Sequence, residues 1–160
     1  IEEAEDGLTS KYRTSYLHIA YSFKAFTLVE SKVRPEEVED LIERIKPTAE
    51  MSRIEKSAVL AMQAQVLSYY GQDGMYKGVP LQREAIRLNP EEIEFKLSLV
   101  VSMNRRRHDL SSYSGDRMTW RDVEEPVSIL EQLLHHPELT ANQRVSCEYF
   151  LATAYADYLA

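Results

Sequence analysis

Ala58-Val59-Leu60-Ala61-Met62-Gln63-Ala64-Gln65-Val66-Leu67 is the stretch that decides the fold. Its glutamines apart, every residue is apolar, and nothing in it alternates as a half-buried strand would. A helix that is apolar nearly all round belongs inside a fold, covered on both sides. Upstream, Ser52 and Glu55 are spaced as a capping box, and downstream Gly71 supplies a stop, so the reading is one helix from about Ser52 to Gly71.

Working outward, the same period recurs. Tyr16, Ile19, Ala20, Phe23 and Phe26 fall three or four residues apart and predict an apolar stripe on a helix over Thr9 to Ser31. Pro35 suits the first turn of a second helix that buries Val38, Leu41, Ile42 and Ile45 before Pro47 ends it. Beyond Gly71-Gln72-Asp73-Gly74, read as a stop and a turn, a short helix starts near Pro80 and ends at Leu88-Asn89-Pro90. Another begins near Glu91, carries Ile93, Leu97, Val100, Val101 and Met103, and runs out at Asn104-Arg105-Arg106-Arg107-His108. The serine-rich segment from His108 to Met118 is the longest polar connection. A helix with Val127, Leu130, Leu133 and Leu134 then reaches Pro137, with Pro126 in its first turn or kinking it. The last runs from Thr140 to the end with Val145, Phe150, Leu151, Ala154 and Tyr155. The reading is an all-α chain of antiparallel helix pairs stacked as an α-solenoid of about six helices, one helical-repeat domain over 1–160.

The bulk properties agree with a folded chain. Of its 160 residues 44% are hydrophobic and 28% charged, which argues against disorder. No apolar run is long enough to span a membrane, so no membrane partner is expected. The net charge of −7 argues against broad nonspecific binding to nucleic acid or anionic lipid. A single cysteine, Cys147, points to a reducing compartment such as the cytoplasm. Ile1 in the first position, together with a last helix that keeps Phe150, Leu151, Ala154, Tyr155, Tyr158 and Leu159, reads as a segment of a longer solenoid. That apolar helix is a candidate for self-association.

The repeat to test has a period of roughly 34 residues with small and aromatic residues at fixed places. Anchored on Ala85-Ile86-Arg87-Leu88-Asn89-Pro90, it puts Met62 and Tyr69 at large positions and Gly78 where two helices cross, while Leu151, Ala152 and Tyr155 fit a further repeat. The chain thus resembles the tetratricopeptide repeat superfamily. Within it, Leu67-Ser68-Tyr69-Tyr70-Gly71-Gln72-Asp73-Gly74, Pro80-Leu81-Gln82-Arg83-Glu84-Ala85-Ile86-Arg87-Leu88-Asn89-Pro90 and Lys96-Leu97-Ser98-Leu99 look like the interferon-induced tetratricopeptide proteins. That family binds RNA 5′ ends in a basic channel lined by its repeats, so the resemblance implies a single-stranded RNA ligand as the alternative function. Tyr70 stands where the family tends to be basic, and Glu94 where it tends to be aromatic; a carboxylate facing a phosphate repels it.

The chemistry of sites is sparse. There is no nucleophile elbow, P-loop, HExxH or paired CxxC, and the reading is not an enzyme and implies no cofactor. His135-His136 is read as a helix-end feature and no metal ligand, and Cys147 as packing. Arg105, Arg106 and Arg107 form the basic patch, either meeting an acidic peptide, phosphate or RNA or capping a basic helix end. Most of the ten tyrosines are assigned to packing. On the repeat frame the inward positions carry no positive charge, against a clamp for a peptide carboxylate. The leading function is a protein-interaction scaffold that takes a peptide or partner helix in a groove of Gln63, Leu67, Tyr70, Val101, Asn104, Tyr149 and Thr153.

Overall fold

The computed structural model describes residues 7–32, 35–114 and 118–159. The chain is all-helical over this range: α1 (Gly7–Ser31), α2 (Pro35–Arg44), α3 (Arg53–Leu67), α4 (Gly71–Leu88), α5 (Ile93–Ser114), α6 (Trp120–Leu134) and α7 (Ala141–Leu159), with a 3₁₀ turn at Thr48–Glu50. The acidic start and Gly115 lie outside the described residues. No helix among those described is long and apolar enough to cross a membrane.

Two helices differ from expectation. α4 starts at Gly71, well before Pro80. Gly71 adopts φ 71°, a left-handed conformation that suits glycine, and turns the chain straight from the end of α3 into α4. Pro80 therefore sits inside a helix of 18 residues. α5 likewise runs on through Ser114, so the three arginines lie in a helix body and the polar connection is shorter than the serine-rich segment suggested.

Close approach joins α3 to α4, the broadest helix contact in the molecule. A Cβ on Gly74 would lie 2.0 Å from the Leu67 carbonyl oxygen, and one on Gly78 would lie 3.0 Å from that of Ala64. Small residues are required there because the partner is backbone, which cannot swing aside. Ala85, two turns beyond Gly78, is fully buried on the same helix. Further along, Ile93, Leu97, Val100, Leu130, Leu133 and Cys147 form the main apolar core, where α5, α6 and α7 meet. Cys147 is packing, as read, and burial pushes its thiol pKa up, away from reactivity.

The N-terminal half is thinner. Tyr16, Phe23 and Phe26 are exposed, the last two by 69% and 63%, so the expected stripe of α1 is not its packing face. Tyr12, Ser15 and Ala25 are buried instead: the small Ser15 and Ala25 let α1 lie close to its neighbours α2 and α3, and Tyr12 is held by its hydroxyl against Glu92 and Asn89. Ile42 of α2 is exposed, whereas Leu41 is buried. The central helix α3 is covered by α1 and α4 but not all round: Val66 is half exposed. Tyrosine packing is also less than expected, since Tyr69, Tyr70, Tyr76 and Tyr149 are all exposed. A tyrosine tolerates solvent at its hydroxyl end, so its presence does not fix a buried face.

Polar contacts hold what apolar burial leaves loose. Tyr12 Oη donates to Glu92 Oε2, Lys11 Nζ lies 2.9 Å from the same oxygen, and Asn89 Nδ2 donates to Tyr12 Oη at 2.9 Å. This buried set ties α1 to the turn between α4 and α5. Glu55 is a second node. Its carboxylate accepts from the Ser52 backbone N–H at 2.7 Å and from Lys46 Nζ at 3.0 Å, while its carbonyl accepts from Ser15 Oγ. The capping box predicted for α3 is present. The Ser52 N–H first, and then the Lys46 ammonium, bring the Glu55 pKa from 4.5 down to about 2.

Two outcomes follow for stability. Gly74→Ala should lower the unfolding free energy measured in urea by about 1–3 kcal/mol despite alanine's better helix propensity, because the clash is with a backbone oxygen. Gly78→Ala should lose less, and Ala85→Trp should lose about as much as Gly74→Ala, with Lys77→Ala within about 0.5 kcal/mol of the parent. As for pH, the unfolded chain takes up a proton on Glu55 below 4.5 while the folded chain resists it until about 2. The stabilisation is therefore complete above 4.5 and lost as pH falls toward 2, and Glu55→Gln should flatten that part of the stability curve.

Candidate functional site

α5 carries one long face made of Glu94, Leu97, Ser98, Val101, Ser102 and Arg105, at i, i+3, i+4, i+7, i+8 and i+11. This face forms one wall of an open trough of about 300 Å³. The end of α3 and the turn after it contribute Gln65, Ser68 and Tyr69. Gln82 comes from α4, and Ser146 and Phe150 come from α7.

The lining is graded. Leu97, Val101 and Phe150 supply apolar surface, and hydroxyls and amides surround it. Two charges stand on the α5 wall: Glu94, whose Oε1 accepts from Gln143 Nε2 at 2.6 Å, and Arg105. Among the described residues the ion pairs engage Arg83, Arg87 and Arg107 but not Arg105. Gln82 is only 2% exposed, and its Oε1 has no hydrogen-bond partner among the described residues.

Of the groove residues expected from sequence, Val101 lines this trough. Gln63 and Tyr70 are exposed beside it, and Leu67 is half-buried without reaching it. Asn104 is buried, with no partner for Oδ1 among the described residues. Tyr149 is exposed with its ring edge on Phe150, and Thr153 Oγ1 donates to the Tyr149 carbonyl at 2.9 Å. The expected helices, α3, α5 and α7, do line the trough, but α3 and α7 present neighbouring faces. The signal that could have found the site was the α5 spacing from Glu94 to Arg105.

The three arginines do not form one patch. Successive residues on a helix point about 100° apart, so a run of three inside α5 must splay. Arg105 faces the trough, which therefore does hold a positive charge. Arg106 lies over the Tyr76 ring, 4.2 Å from its centroid. Arg107 is buried and donates from Nη2 to Asp157 Oδ2 at 2.6 Å, joining α5 to α7. Its Nε and Nη1 find no partner among the described residues. The alternative of a capped basic helix end does not hold either, because α5 continues past them to Ser114.

Elsewhere the chemistry is structural. His135 is the C-cap residue of α6, where a helix-end role was expected. No group of three or more His, Cys, Asp or Glu is placed to hold a metal ion among the described residues. Of the apolar residues of α7, Phe150 and Leu151 pack toward the main core and Ala154 is buried. Trp120 stacks on Tyr155 and meets Tyr158 edge-on, at 6.4 and 5.6 Å between centroids, while Leu159 is exposed. α6 thus covers much of the helix that the sequence left open. No family model matches the chain, and no curated protein or solved structure is significantly similar to it.

The Arg107–Asp157 pair carries a stability test. Asp157→Asn leaves a buried guanidinium without its counter-charge and should destabilise by about 3–5 kcal/mol in urea unfolding. Arg107→Met combined with Asp157→Leu should recover most of that loss, since an apolar pair of similar volume removes the buried charge as well.

Proposed function

We propose that this chain is a protein-interaction scaffold of tetratricopeptide type, in which antiparallel helix pairs stack so that α3, α5 and α7 face a groove. Support for the stacking comes from the contacts. Each helix from α3 to α7 packs on the next and α1 packs on α2, while α1 also meets α3 and α5 meets α7, which is compatible with paired helices in series. The observation that carries the functional reading is the trough itself. Its apolar strip of Leu97, Val101 and Phe150, edged by serines and glutamines, suits a polypeptide that needs both burial and hydrogen bonds.

A single-stranded RNA ligand fits this surface less well. Such a site tracks the phosphates with several cations and stacks bases on aromatics. Here Arg106 and Arg107 are taken up by Tyr76 and Asp157, and Glu94 places a negative charge on the wall.

Ser98→Trp would fill the trough from the middle of α5. The folded variant, checked by circular dichroism, should lose partner peptides selected on the parent protein by more than about tenfold. Replacing Arg105 and Arg106 together by glutamine, with Arg107 kept in its buried pair, should leave any RNA retention unaltered in its salt dependence. RNA binding that weakens steeply with salt, and less steeply in the double variant, would replace the peptide reading with the RNA one.

A further inference from the structure

We infer that the trough takes an extended peptide segment bearing a basic and an acidic side chain about four or six residues apart, the basic one at Glu94 and the acidic one at Arg105. The inference rests on the protein-interaction reading and adds the chemistry of the occupant. Glu94 and Arg105 stand on one face of α5, eleven residues apart, which a rise of about 1.5 Å per residue makes roughly 16 Å. An extended chain advances about 3.3 Å per residue, and because its side chains alternate between two faces, the even spacings of about four or six residues cover that distance with both side chains toward α5. The two charges are of opposite sign at opposite ends of the wall, and Arg105 joins none of the protein's own ion pairs among the described residues. A matching ligand is therefore bipolar.

Gln82 selects the form of the chain. Its side-chain oxygen is buried without a donor among the described residues, in the part of the trough lining that α4 supplies. A buried acceptor with no donor is unfavourable, and a bound chain that offers one removes the penalty. A helical partner has its backbone N–H groups engaged in its own turns, whereas an extended segment still has them to give. A phosphodiester strand brings acceptors and negative charge to a place that calls for a donor.

A library of random nonamers displayed on phage and selected on the 160-residue protein tests this. Enriched sequences should pair Lys or Arg with Asp or Glu about four or six positions apart, and the same selection on Glu94→Lys should return peptides acidic at both positions. A synthetic peptide from the first selection should bind Arg105→Glu at least about fivefold more weakly by fluorescence anisotropy. Gln82→Leu should weaken it too while leaving the melting temperature unchanged or higher, a split that a purely structural glutamine would not give. Selected peptides without paired charges, or a charge preference that ignores the Glu94→Lys change, would overturn the inference and leave the groove reading standing. A folded protein that selects no peptide would overturn both.

Discussion

Backbone-to-backbone contact between α3 and α4 sets the geometry on which the rest depends. At Gly74 the two helices are so close that a single methyl group cannot be inserted, and at Gly78 the space is barely larger. Glycine is a poor helix residue, roughly 1 kcal/mol worse than alanine, so two of them in one helix weaken it locally. What they permit is an approach that no side chain could bridge. Two turns after Gly74 along the same helix lies Gln82, and across from it lie Gln65, Ser68 and Tyr69. The close crossing therefore brings the α4 and α3 sides of the trough together.

The opposite wall is held differently. α5, α6 and α7 share the largest apolar core, and the Arg107–Asp157 pair fixes α5 against α7 from the other end of the same helix. A buried ion pair contributes little net stability compared with apolar packing, but it has one geometry and tolerates few others. That constraint matters because Arg105 and Arg107 share a helix turn: holding one inward directs the other into the trough. The N-terminal half, with less apolar burial, is tied by the Tyr12–Glu92–Asn89 set and by Glu55, which couple α1 to the start of α3 and to the turn after α4.

The trough gathers side chains that are individually unremarkable in sequence. Serines on helices, a glutamine in α4 and one arginine of three carry no motif. Together they make a surface with apolar strip, hydrogen-bonding edges and a charge at each end. The more conspicuous residues went elsewhere: Arg106 to Tyr76, Arg107 to Asp157, and the histidine pair to the end of α6. Prominence in a sequence measures local composition, and a binding surface is a property of which faces meet.

The sequence by itself determined the helical class, the cap of α3 at Ser52 and Glu55, the small residue at Gly78, and the apolar positions of α6. Each of these depends on neighbours within a few residues, where helix geometry is fixed by the backbone. Only the tertiary structure decided that α4 begins at Gly71, that α5 carries on past the arginines, and that α1 buries Tyr12 and Ser15 and leaves Phe23 and Phe26 exposed. It also decided which turn of α3 and α7 faces the trough. Helices with apolar residues on more than one side have several faces that can be buried at similar gain. The choice among them is made by how closely a partner helix can approach, and that is not written in either helix alone.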